Sequence, residues 1–186
     1  MAINLVEIIQ QQLGCPPLHK IDPNTQEINQ KNEQSTAALL AQASIPAVLT
    51  AIYSLSANEE VGRKLLEGNG EADSLHLLFN SREPEVIEKV ARYAEVLHDQ
   101  SESFLKQAAD AALQKLVTLL GDAATPASLK AYMKEQRHTI LVYLPPALNL
   151  GELLRDNTLD DRTNKMEGPV SGFMHKIEDK LSQGGA

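Results

Sequence analysis

Apolar positions in this chain recur at helical spacing, and no stretch of useful length alternates as a half-buried strand would. Ile3, Val6, Ile9 and Leu13 predict a short amphipathic helix over 2–13, closed by Gly14 and Pro16-Pro17. A polar helix over 22–33 is expected to open at Asp22, with Pro23 in the first helical position. Residues 35–57 are the most apolar part of the chain. Leu39, Leu40, Ala43, Ala47, Val48, Ile52 and Leu55 cover most of the circumference of a helix there, which places it at the centre of a bundle. Pro46 removes one backbone donor within it.

Asn58 reads as the cap of a short helix to Glu67, ended by Gly68-Asn69-Gly70, and a second short helix follows over 72–79. Two longer helices are expected next. One, over 82–100, carries Val86, Val90, Tyr93 and Leu97 on one side. The other, over 101–121, carries Phe104, Leu105, Ala108, Ala112, Leu116 and Leu119, with Ser101 as its cap and Gly121 as its stop. Thr125 and Pro126 open another helix that runs to about Tyr143, ahead of Pro145-Pro146. The pattern predicts an all-α, compact multi-helix bundle over 1–155, then a polar strap over 156–168. A C-terminal amphipathic helix follows over 169–186, frayed at Gly184-Gly185-Ala186. In that last element Val170, Phe173, Met174, Ile177 and Leu181 align at i, i+3, i+4, i+7 and i+11.

Composition sharpens this picture. Aromatic residues are 4% of the chain and there is no Trp, so the core is aliphatic and Ala-rich. The net charge of -8 is spread along the chain. Residues 1–68 hold four Lys/Arg and seven Asp/Glu, residues 69–154 eight and twelve, and residues 155–186 five and six. No segment offers the basic surface that displaces counterions from phosphates, which argues against nucleic acid as a partner. The beginning "MAINLVEIIQQQLG" lacks the basic start of a signal sequence, and a cytoplasmic setting is expected. The uncharged run Gln34 to Asn58 is long enough to span a bilayer. Gln42, Ser44, Pro46, Thr50, Ser54 and Ser56 within it make a buried central helix the better reading, so no membrane span is expected.

The order of these features resembles the YidB-like family of bacterial proteins of unknown function. The residues that carry the likeness are "INLVEIIQQQLG", "STAALLAQASIPAVLTAIYSLSANEEVGRKLLE" and "QRHTILVYLPPALNLGELL". Within them, Ile45-Pro46-Ala47-Val48-Leu49, Gly62 to Leu66 and Ile140 to Leu154 match the family's recurrent segments. The likeness spans about residues 1–155 and implies a helical domain. These segments are structural in character, so the resemblance brings no active site with it.

Candidate chemistry is sparse. There is no P-loop, no G-x-S-x-G, no H-E-x-x-H and no Gly-rich dinucleotide loop. The single cysteine, Cys15, excludes an internal disulfide, and His19 is the only base close to it in sequence. Glu95-x-x-His98 and Glu135-x-x-His138 have the spacing of bundle di-iron ligands, which must all point inward. Helical projection turns them outward. Glu95 lies about 140° and His98 about 80° from Val90, and Glu135 lies about 120° and His138 about 180° from Leu129.

The stronger metal candidate is the strap. With Asp156 at position 1 of an EF-hand-like loop, Thr158, Asp160, Asn164 and Glu167 fall at positions 3, 5, 9 and 12, an oxygen set suited to calcium. Asp161 stands where the sharp turn calls for Gly, and Thr163 where an apolar residue anchors such loops. His19, His76 and His175 are scattered singly.

Two functions follow as expectations. The first is a non-enzymatic interaction or scaffold protein. Its stripe of Val170, Phe173, Met174, Ile177 and Leu181 docks on its own core, on a second copy or on a protein partner. The second is a divalent-cation-binding protein using the degenerate loop at 156–167.

Overall fold

The structure is a computed structural model that describes residues 4–21, 34–67 and 73–155. The expected polar helix at 22–33, the glycine corner at 68–70, and everything predicted for the strap and C-terminal helix lie outside the described residues.

The chain is an all-α bundle. The described residues form α1 (Leu5–Gln12), α2 (Thr36–Leu55), α3 (Glu59–Glu67), α4 (Ser74–Phe79), α5 (Glu83–Ala94), α6 (His98–Leu120), α7 (Pro126–Leu141) and α8 (Leu150–Leu154). Single 3-10 turns follow α4, α6 and α7, and no strand occurs among the described residues.

α2 is the axis of the bundle. It packs against every other helix, and each residue from Leu39 to Ile52 is buried. It is also the one described helix long and apolar enough to cross a membrane, with 72% of its apolar window buried inside the bundle. Three of the segments quoted from the sequence have structural roles here. Ile45, Pro46, Ala47, Val48 and Leu49 form the middle of α2. Gly62 lets α3 approach the first turn of α7 closely, since a Cβ at Gly62 would sit 3.4 Å from that of Pro126. Ile140, Leu144, Leu148, Leu150 and Leu153 close the end of the core, and Asn149, in the left-handed region at φ 45, turns the chain into α8.

The helix ends follow their capping residues. Ser35 accepts from the Ala38 amide, and Asn58 accepts from Glu60 and Val61. Thr125 and Ser128 cap each other reciprocally, with Pro126 in the first position. At α1 all four leading amides are satisfied. Leu5 donates to Gln136 Oε1 at 3.0 Å, Val6 and Glu7 donate to the Asn4 side chain, and Ile8 donates to the Asn4 carbonyl.

Four boundaries differ from the pattern. α1 begins at Leu5 behind its cap Asn4, three residues after the expected start. α5 ends at Ala94, not near residue 100, because Glu95 adopts the left-handed conformation at φ 57. Leu97 therefore leaves the stripe of Val86, Val90 and Tyr93 and becomes 73% exposed at the corner before α6. α6 begins at His98, so Ser101 lies inside its first turn and is no cap; its buried hydroxyl donates to the Ile87 carbonyl and ties α6 to α5. α7 ends at Leu141, two residues before the expected point.

Candidate functional site

Three concavities stand out on the described surface. The largest, about 570 Å³, runs along the seam of α1 and α7. Asn4 and Glu7 form one side of it. Tyr132, Glu135, Gln136, His138 and Thr139 of α7 form the other, and Lys20 comes from the irregular segment after α1. Two buried glutamines build this seam. Gln136 holds the first amide of α1. Gln42, in the middle of α2, accepts from the His19 amide at 2.8 Å through Oε1. Its Nε2 donates to the His19 carbonyl at 3.0 Å and to the Tyr143 carbonyl at 2.7 Å. The Ile21 amide completes the closure by donating to the Val142 carbonyl at 2.8 Å. One amide side chain thus fastens α2, the segment 15–21 and the end of α7 together.

The walls of this cleft carry both signs of charge. Burial raises the Tyr132 phenol above its ordinary value, and the Glu135 carboxylate adds to the rise. The Tyr132 oxygen is enclosed and has no hydrogen-bond partner. Glu135 and His138 are both exposed, as projection from Leu129 predicts. The other Glu-x-x-His pair does not share a helical turn at all, because Glu95 caps α5 while His98 opens α6. Among the described residues no three His, Cys, Asp or Glu side chains converge as a metal-binding group. Cys15 donates weakly to the Leu13 carbonyl, and burial pushes its thiol up, away from the thiolate that nucleophilic attack requires.

The second concavity, about 450 Å³, lies between α3 and α6. Leu66 and Glu67 form one wall, and Asp110, Leu113, Gln114, Val117 and Thr118 form the other. The third is a niche of about 140 Å³ at the end of α2, where Tyr53, Ser54, Ser56 and Ala57 meet Lys130 and Lys134 of α7. Arg137 stacks over the Tyr53 ring beside it at 5.9 Å.

The candidate cation ligands Asp156, Thr158, Asp160, Asn164 and Glu167, and the stripe Val170, Phe173, Met174, Ile177 and Leu181, lie outside the described residues. Composition and spacing did not single out Gln42 and Gln136. For Gln42 the available signal was an amide inside a run of apolar residues: once buried, it must find partners for both its oxygen and its nitrogen; Gln136, between Glu135 and Arg137, carries no such signal. Compared with family models, with curated proteins and with solved structures, the chain matches none.

Proposed function

We propose that this protein is a helical interaction domain of the YidB-like kind, acting in the cytoplasm by docking and not by catalysis. In this reading the C-terminal helix seats its apolar stripe on the domain's own surface. A protein partner or a second copy can exchange with that contact. The observation that carries the reading is the register of Val170, Phe173, Met174, Ile177 and Leu181, five large apolar residues on one face. Burying each such side chain is worth about 1.5–3 kcal/mol, so the stripe gains several kcal/mol by docking even after ordering costs. Tethering favours the intramolecular site, because the strap keeps the local concentration of the helix high.

Removing residues 156–186 is the test. The truncated chain should melt at lower temperature than the full chain and bind more of a dye that reports exposed apolar surface. Identical melting curves would defeat the proposal.

The oxygen spacing of Asp156, Thr158, Asp160, Asn164 and Glu167 supports a second reading, a calcium-binding loop. Titration calorimetry of the full chain separates the two. Heat and a thermal shift with calcium would favour the loop, and their absence at millimolar cation would remove it.

A further inference from the structure

α6 carries two apolar stripes in its second half. Ala108, Ala112 and Leu116 are buried and belong to the core. Leu113, Val117 and Leu120, at i, i+4 and i+7, form the other, beside the groove that α6 makes with α3. Leu113 is buried and Leu120 half-buried, but Val117 is 36% exposed. Only Val117 and Leu97 are large apolar residues left exposed among the described residues. Leu97 stands alone at the α5–α6 corner and lines none of the three concavities, whereas Val117 shares its groove with Leu66 and Leu113. The described lining of this groove holds two carboxylates, Glu67 and Asp110, and no cation. Lys106, whose field reaches Asp110, is itself bonded to Asp73 at 3.1 Å.

We infer that the α3–α6 groove is the seat of residues 169–181 of the same chain. The inference rests on the docking proposed above and names its site. In helical projection, Lys180 lies about 75° and Lys176 about 115° from the centre of the stripe, both on the same side. Glu178 marks the opposite edge, so the helix has one basic flank to set against Asp110 on the α6 wall, with Glu67 on the facing wall adding to the negative field of the groove. The other two concavities fit this flank less well. The α1–α7 cleft also holds two carboxylates, Glu7 and Glu135, but sets Lys20 and His138 among them, and the niche at the end of α2 presents Lys130 and Lys134 in a third of the volume, whereas the α3–α6 lining is acidic alone. Reach does not restrict the choice. The 13 residues 156–168 extend to about 43–47 Å, longer than the roughly 40 Å breadth of a 155-residue domain.

Hydrogen exchange on the full chain tests the assignment, read at the amides of 169–181 and, as a check on the fold, of 105–116. The unaltered protein should show protected amides in 169–181. Val117→Asp, which sets a charge against the apolar stripe, should lower that protection by about tenfold or more while leaving 105–116 protected. Asp110→Lys, on the exposed rim, should lower it about two- to threefold, and adding Lys180→Glu should restore it. Lys20→Glu, in the α1–α7 cleft, should change nothing. Protection of 169–181 that survives both Val117→Asp and Asp110→Lys would overturn the groove assignment and leave intramolecular docking standing. Exchange without any protection in the unaltered chain would remove docking and groove together. Protection that grows with protein concentration would transfer the contact to a second copy and overturn the assignment to the same chain.

Discussion

α2 and α6 are close in length, 20 and 23 residues, and both are rich in Ala and Leu. α2 is buried without a break from Leu39 to Ile52, whereas α6 alternates buried positions with exposed ones such as Glu102, Gln107 and Gln114. The difference lies in where each helix places its polar groups. α6 turns nearly all of them to water, where they cost nothing to leave unpaired, and its buried Ser101 is bonded to the Ile87 carbonyl. α2 holds Gln42, Ser44 and Thr50 in the interior, so each must be bonded inside the protein or penalise the fold. Gln42 is bonded three times, whereas the hydroxyls of Ser44 and Thr50 have no partner.

The contrast can be broken most sharply at Leu49, which is fully buried in α2. Leu49→Ala should cost about 2–5 kcal/mol, because no flanking element is free to fill the space. Urea denaturation would measure it, and a loss under 1 kcal/mol would show that α2 is loosely packed. Gln42→Leu comes next. It strands the His19 amide and the His19 and Tyr143 carbonyls, and the same measurement should show a loss of about 2–4 kcal/mol.

Tyr93 on α5, which packs against α2, extends the comparison to pH. Burial pushes its phenol up to about 12 from an ordinary value of 10.0. A pKa raised in the folded state contributes stability that is complete below pH 10 and is lost as pH rises through 12. Tyr93 should contribute a loss on the order of 2 kcal/mol across that window, and Tyr93→Phe should lose less than the parent by that amount, which thermal melts at stepped pH would show. Thr50→Val should do the reverse of the core substitutions. Replacing an unbonded hydroxyl by a methyl of the same shape should stabilise the chain by about 1 kcal/mol. On α6, Glu102→Ala should fall within about 0.5 kcal/mol of the parent, and a larger loss would mean that this face is covered by something.

Much of the fold was legible because periodicity and caps agree. Asn58, Thr125 and Pro126 mark helix starts by a mechanism that acts within four residues, so local sequence was enough to find them, whereas Ser101 was not the cap it was expected to be. The α5–α6 corner was not legible. Glu95 takes a left-handed conformation that usually signals itself through Gly or Asn, and Leu97 continues the helical spacing past the break. Projection placed Glu135 and His138 outward because α7 is regular there, and it placed Glu95 and His98 on a common helix that does not exist. The α3–α6 groove was out of reach for another reason. Leu66 and Val117 meet only through the packing of two helices on α2, and nothing in either segment announces the other. Gln42 falls between these cases: its need for partners is visible in the apolar run around it, but the identity of the partners is not, and Gln136, among Lys134, Glu135, Arg137 and His138, announces neither.

The bond from the Leu5 amide to Gln136 joins residues 131 positions apart. A ribosome adding about 5–20 residues per second delivers that acceptor roughly 7–26 s after the first helix has been made. For all of that interval the Leu5 amide has only water to bond, because Gln136 has not been made. The apolar side of Leu5, Val6 and Ile9 can rest on α2, but its final seat does not yet exist. The beginning of the chain is therefore among the last pieces to lock, and a nascent protein halted before residue 136 should leave its first helix within reach of chaperones and proteases.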